Sequence, residues 1–259
     1  MPPRQRPPVW LLLNLLSLDA PLIALAWQDF LSRCYPTVLH AAGRVVLGLT
    51  VWAIYLVDRL LDIRHAQPSN ESVRHRFYRT HRAFAQILLT LVACADVAVT
   101  GLWLRPSVFD NGLVLGVVVV VYLGTFPFSG RSATAWKKPL AALLFTAGIF
   151  LVAWTGTAHP LTGLAWPAVA FFALCLDNLL TIGRWSRESA SGAGSERLAW
   201  IHLVIAIACL AGARSSVWFA AIGTSAAGLY GLSRFRASIP AGARCVLADV
   251  ALLTPLLFR

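Results

Sequence analysis

Two carboxylates, Asp58 and Asp62, stand four residues apart at the polar end of the apolar stretch 45–61. Side chains at positions i and i+4 of a helix share one face, so the spacing predicts that both carboxylates face the same way. Such a pair can hold a divalent cation such as Mg²⁺, which prefers oxygen ligands. The alternative is a helix end in which Asp62 pairs with Arg59 or His65.

A second acidic site falls at the end of the apolar stretch 163–183. Asp177, Thr181, Arg184 and Glu188 are spaced 4-3-4, so a helix would place them on one face. The first pair and these four residues, here called the second acidic stripe, are predicted to emerge on the same side of a membrane. This placement favours one shared site over two separate salt bridges. An internal ion pair between Asp177 and Arg184 is the alternative.

The loop that follows the first pair is strongly basic. Its only acid is Glu71, and its basic residues are Arg64, His65, Arg74, His75, Arg76, Arg79, His81 and Arg82. Guanidinium groups bind phosphate bidentately, so the loop could close over a diphosphate held by the cation. The candidate diphosphate-binding residues are Arg59, Arg74, Arg76, Arg79, Arg131 and Lys138, with Lys137 beside them. The alternative is that the loop is basic because it is cytoplasmic.

The composition predicts an all-α, polytopic membrane bundle in a single domain, 1–259. Hydrophobic residues make up 58% of the chain, charged residues 13%, and the mean hydropathy is +0.69. A helix needs about 20 apolar residues to cross about 30 Å of hydrocarbon. Nine stretches qualify approximately: 9–30, 38–61, 83–104, 111–128, 139–157, 163–183, 198–213, 215–233 and 244–258.

The distribution of basic residues predicts the orientation of those nine spans. Most of the 22 lysine and arginine residues fall on one side, which the positive-inside rule makes cytoplasmic. The N-terminus would then be cytoplasmic, with cytoplasmic loops at about 62–82, 129–138, 184–197 and 234–243. Attraction to anionic lipid accounts for the net charge of +11, so no nucleic-acid partner is expected.

Three further acids, Asp19, Asp96 and Asp249, lie within apolar stretches and are isolated in sequence. A charge at the bilayer centre is costly, so each needs a partner, a proton or a watery cavity. We expect them to act as hydrogen-bonding residues between helices or as protonated acids.

The motifs and their placement resemble the UbiA superfamily of intramembrane prenyltransferases. That family has nine transmembrane helices and two Asp-rich motifs, on helices two and six. Asp58 and Asp62 match the last two acids of its first motif, N-D-x-x-D-x-x-x-D, in which Ile54 and Tyr55 replace the Asn and the first Asp.

The remaining family motifs are matched in part. Asp177 begins the second motif, D-x-x-x-D, and Thr181 replaces its second acid. The stretch 126–131 partly matches the family's motif Y-P-x-x-K-R. The chain therefore looks like a divergent member of the family.

The resemblance implies an Mg²⁺-dependent enzyme of an inner or cytoplasmic membrane that ionises an allylic isoprenoid diphosphate. Its catalytic residues would be Asp58, Asp62 and Asp177, with Glu188 as a further metal ligand. Its substrate pocket would be lined by Trp52, Tyr55, Asn178 and Thr181. A small-molecule acceptor would make it a prenyltransferase, and an internal double bond would make it a terpene cyclase. The same residues would also fit a non-catalytic membrane protein with eroded motifs or, with less support, a transporter.

Overall fold

A computed structural model describes residues 13–35, 37–65, 73–125, 134–156, 160–185, 195–214 and 216–258. Helices are the only regular structure in those residues, which confirms the predicted all-α class. In chain order they are α1 (Asp19–Cys34), α2 (Ala41–His65), α3 (Val73–Thr80), α4 (Arg82–Trp103), α5 (Pro106–Thr125), α6 (Thr134–Gly156), α7 (Pro160–Trp185), α8 (Ser195–Gly212), α9 (Val217–Arg234) and α10 (Ala241–Val250). Two 3₁₀ segments, Arg236–Ser238 and Ala251–Leu257, flank α10.

The described helices include four that are long and apolar enough to cross a membrane: Arg82–Trp103, Pro106–Thr125, Trp136–Gly156 and Thr162–Trp185. They indicate a multi-pass membrane protein. The prediction of nine spans is wrong, because an apolar stretch does not reveal where its helix begins and ends. Over its described bounds α1 has 16 residues, and α10 gives way to a 3₁₀ segment after 10.

Large apolar side chains cover the outer faces of α4 and α5. Exposed residues on these helices include Ile87, Leu91, Val97, Leu102, Leu113, Val114, Val117 and Val120. Soluble monomers rarely expose contiguous apolar patches of more than a few hundred Å². These two helices therefore present lipid-facing surfaces.

An aromatic cluster forms the centre of the bundle. The ring centroid of Trp27 lies 4.7 Å from that of Phe171 and 5.0 Å from that of Trp218. Phe30 stacks on Trp218 at 5.7 Å, and Phe150 meets the same indole edge-on at 5.6 Å. Offset and edge-on pairs are the favourable geometries for aromatic rings. The cluster joins α1, α6, α7 and α9.

Both buried indoles also donate hydrogen bonds to backbone carbonyls on other elements. The Nε1–H of Trp27 donates to the carbonyl of Leu252 at 2.7 Å. The Nε1–H of Trp218 donates to the carbonyl of Pro167 at 3.1 Å. The first bond attaches the 3₁₀ segment after α10 to α1, and the second attaches α9 to α7.

The two helices α8 and α9 approach closely at Gly223. A Cβ atom there would lie 2.7 Å from Cγ of Leu210 and 3.1 Å from its backbone nitrogen. Gly116 on α5, by contrast, has nothing within 4 Å of its Cβ position. Only a glycine at position 223 permits this packing without a shift of one helix.

Near the N-terminal end of the described chain, Ser17 has a positive φ of 55°. Its hydroxyl is hydrogen-bonded to the phenol of Tyr78 on α3 at 3.0 Å, and both residues are buried. This bond fixes the short helix α3 against the segment that enters α1.

Candidate functional site

The first acidic pair lies near the end of α2, and its two carboxylates face the start of α6. The Lys137 ammonium is 3.1 Å from Oδ1 of Asp58 and 3.6 Å from Oδ1 of Asp62. Each of the three side chains is about a third exposed, so the group sits at a surface. The prediction that both carboxylates share one face is confirmed.

Arg59 adds a second positive charge to this pair. One guanidinium nitrogen of Arg59 is 3.7 Å from Oδ2 of Asp62, as expected for local pairing along the helix. Its Nε atom is buried and has no hydrogen-bond partner among the described residues. Tyr122 of α5 lies within electrostatic range of both carboxylates. Two carboxylates and two cations therefore give this cluster a formal charge near zero.

Tyr55 lies about one turn before Asp58, and acids from other helices approach it. Asp19 and Asp249 are both within electrostatic range of its phenol. Asn14 donates a hydrogen bond to Asp19 at 2.7 Å, and Asn178 donates one to Asp249 at 3.2 Å. Asp249 thus bonds between helices, from α10 to α7, as predicted, whereas Asp19 bonds to a residue only five positions earlier, so the predicted role is met by one of the two acids. Their approach to Tyr55 had no sequence signal, because it depends on how α1, α2 and α10 pack.

Asp96 is the third of the acids predicted to bind between helices. Its Oδ2 accepts a hydrogen bond of 2.7 Å from the hydroxyl of Thr50 on α2. This bond connects α4 to α2 and agrees with the prediction.

A histidine from α8, His202, contacts two residues of the second acidic stripe. Nδ1 of His202 is 2.5 Å from Oδ2 of Asp177, and the two side chains are 0% and 1% exposed. Nε2 of the same ring is 3.4 Å from the hydroxyl of Thr181. In the neutral tautomer that is protonated at Nδ1, Nδ1–H donates to the carboxylate and Nε2 accepts from the hydroxyl. Arg184, the partner considered from sequence, is exposed at the end of α7.

His202 is the residue that the sequence reasoning missed. It stands within the apolar stretch 198–213, and an ionisable residue in such a stretch is a signal of a buried partner. The identity of that partner could not be read from sequence, since Asp177 is 25 residues away.

The other residues assigned to the substrate pocket make structural contacts. The Nε1–H of Trp52 donates to the carbonyl of Leu16 at 2.9 Å. Asn178 and Thr181 are buried. The side chain of Asn178 hydrogen-bonds to Asp249, and that of Thr181 hydrogen-bonds to His202.

The predicted diphosphate-binding residues are only partly described. Arg76 and Arg79 are exposed on α3, and Lys138 is half-buried at the start of α6. The helix α3 includes Arg74, but its side chain lies outside the described residues, as do Arg131 and the metal candidate Glu188.

No family model matches the chain, and no curated protein or solved structure shows significant similarity to it. The predicted resemblance to the UbiA superfamily therefore depends only on the motif residues and their placement in the chain.

Asp58 and Asp62 are the predicted ligands of one Mg²⁺ ion. Among the described residues, no group of three His, Cys, Asp or Glu side chains could hold a metal. Mg²⁺ is nevertheless commonly bound by one or two carboxylates, with waters and substrate phosphate as its other ligands. Asp58 and Asp62 converge on one cationic group already, the ammonium of Lys137. Asp177 is a poorer candidate for a metal ligand, because one of its oxygens is in buried contact with His202.

Proposed function

We propose that this chain is a multi-pass protein of a cytoplasmic or inner membrane, similar to the UbiA superfamily, that binds and ionises an allylic isoprenoid diphosphate. The observation that supports this most is the convergence of Asp58 and Asp62 on the Lys137 ammonium. The basic residues of α3, which follow α2, would place this cluster at the cytoplasmic surface by the positive-inside rule. The diphosphate would be bound there, with the isoprenoid tail in the apolar part of the bundle.

In this proposal, Asp58 and Asp62 would hold one Mg²⁺ ion. The bound ion would neutralise phosphate charge and so favour departure of the diphosphate. Lys137, no longer held by the two carboxylates, would donate hydrogen bonds to the diphosphate oxygens. Arg59 would remain beside Asp62 and add positive charge at the same end of α2. These charges oppose the negative charge that develops on the leaving group.

Heterolysis of the allylic C–O bond sends its electron pair to the diphosphate and leaves an allylic cation. Apolar and aromatic walls would protect that cation from water. An acceptor nucleophile that captured it would make the protein a prenyltransferase. Capture by a double bond of the same substrate would make it a terpene cyclase.

A non-catalytic membrane protein is the second candidate. The contact between Asp177 and His202 favours it, because a buried acid with a histidine partner needs no ligand to be stable. Lys137 likewise pairs with both carboxylates of the first site, so these charges are balanced without a ligand.

Pyrophosphate release from geranyl, farnesyl and geranylgeranyl diphosphate by the purified chain, with and without Mg²⁺, tests the proposal. We expect Mg²⁺-dependent release that falls at least about 100-fold in Asp58→Asn, Asp62→Asn and Lys137→Met. Asp29→Asn is the matched control, because Asp29 forms an exposed ion pair with Arg44 at 2.9 Å, remote in sequence from the site.

Mass spectrometry of the products separates the two enzyme classes. A hydrocarbon or terpene alcohol formed without an acceptor indicates a cyclase, and release only with an acceptor indicates a transferase. No release from any of the three substrates, by folded protein supplied with a set of acceptors, would favour the non-catalytic candidate.

A further inference from the structure

A groove lies between α2 and α4, at the end of α2 and the start of α4. Its volume is about 330 Å³. The lining residues are Val57, Leu60, Leu61, Arg82, Gln86, Leu89 and Thr90. Small-molecule sites in proteins have volumes of about 300–1,000 Å³, so the groove can hold part of a ligand such as one lipid chain.

The groove is distinct from the acidic pair. Successive residues of an α-helix are rotated by about 100°, so Val57, Leu60 and Leu61 centre on a different face of α2 from Asp58 and Asp62. The carboxylates face Lys137 on α6, whereas the groove faces α4. A ligand in the groove would therefore not be held by the carboxylates.

The lining combines an apolar wall with a cationic group. Four of its residues are aliphatic, and Arg82 stands at the first position of the apolar helix α4. Within the described part of the chain, Arg82 makes no ion pair. Arg82 is the charged residue among the described residues that line the groove.

We infer that this groove binds an anionic phospholipid, with one acyl chain against the aliphatic wall and its phosphate at Arg82. The large exposed apolar side chains of α4 place the groove beside lipid. A cationic residue at the headgroup level attracts anionic lipid. The described residues that line the groove include no carboxylate to hold a metal-bound diphosphate, and the guanidinium matches a single phosphodiester charge. The inference is independent of the proposed enzymatic function.

Native mass spectrometry of the delipidated full chain, titrated with phosphatidylglycerol or phosphatidylcholine of identical acyl chains, tests this inference. We expect phosphatidylglycerol to bind about fivefold more tightly, as one arginine near a membrane surface implies. Arg82→Gln should remove that preference. Arg184→Gln, a change at another exposed arginine, should preserve it.

A second pair of variants tests the apolar wall. Leu89→Trp should fill the groove and weaken binding of both lipids, whereas Leu91→Trp, on the exposed surface of the same helix, should not. Equal binding of the two lipids, or an Arg82→Gln variant that keeps the preference, would overturn the inference. Displacement of the bound lipid by farnesyl diphosphate would also overturn it, because the groove would then belong to the isoprenoid site.

Discussion

Substitution of His202 should destabilise the protein more than any change at an exposed histidine. The imidazole is the hydrogen-bond partner of Asp177 Oδ2, and the other oxygen of that carboxylate is buried without a partner among the described residues. His202→Ala would therefore leave the whole carboxylate without the partner it has in the folded protein. The cause of the destabilisation is this unpaired acid, in addition to the cavity left by the ring.

The expected size of the effect follows from burial. The two side chains are 0% and 1% exposed, so solvent does not weaken their interaction. Removing one partner of a buried pair costs about 3–5 kcal/mol. For a chain of about this length, each 1 kcal/mol shifts the melting temperature by roughly 2–4 °C. We expect His202→Ala to lower the melting temperature by on the order of 6–20 °C.

Thermal unfolding of the full chain in detergent micelles, followed by near-ultraviolet circular dichroism, would measure this shift. His40→Ala is the control, because His40 is exposed in the segment before α2. The double variant Asp177→Leu with His202→Ala provides a second comparison, since it removes both the acid and its partner. Its melting temperature should exceed that of His202→Ala alone.

Two results would refute this reasoning. One is a shift in His202→Ala no larger than that in His40→Ala. The other is a double variant at least as unstable as His202→Ala, which would show that the unpaired Asp177 is not the cause.

Three further substitutions test the packing. Gly223→Ala should lower the melting temperature clearly, because its Cβ would overlap α8 at 2.7 Å, whereas Gly116→Ala on an open surface should change it little. Trp27→Phe should cost about 1–3 kcal/mol of unfolding free energy, since a buried carbonyl loses its indole donor, and an SDS titration would measure that loss. Tyr78→Phe should cost about 1 kcal/mol in the same titration through loss of its bond to Ser17, and no change would contradict that role.

The local part of the site was predictable from the sequence. The shared face of Asp58 and Asp62 follows from 3.6 residues per helical turn, and the structure confirms it. The local pairing of Arg59 with Asp62 could likewise be expected, because residues three apart are neighbours on a helix. These contacts depend on the helix alone.

Contacts between helices were harder to predict from the sequence. Lys137 was a secondary candidate, and its position between two carboxylates depends on the packing of α6 against α2. The pairing of His202 with Asp177 depends in the same way on α8 and α7. Hydropathy also overestimated the number of spans, because residues 244–258 are apolar but divide into α10 and a 3₁₀ segment.

The hydrogen bond from Trp27 to Leu252 has a consequence for synthesis of the protein. Its two residues are 225 positions apart, so the indole leaves the ribosome long before its acceptor exists. At about 5–20 residues per second, that interval is roughly 11–45 s. Phe171 and Trp218, on which Trp27 packs, are also translated during this interval. The packing of α1 is thus completed by a residue translated 225 positions later, and until then the indole of Trp27 lacks the acceptor it has in the folded protein.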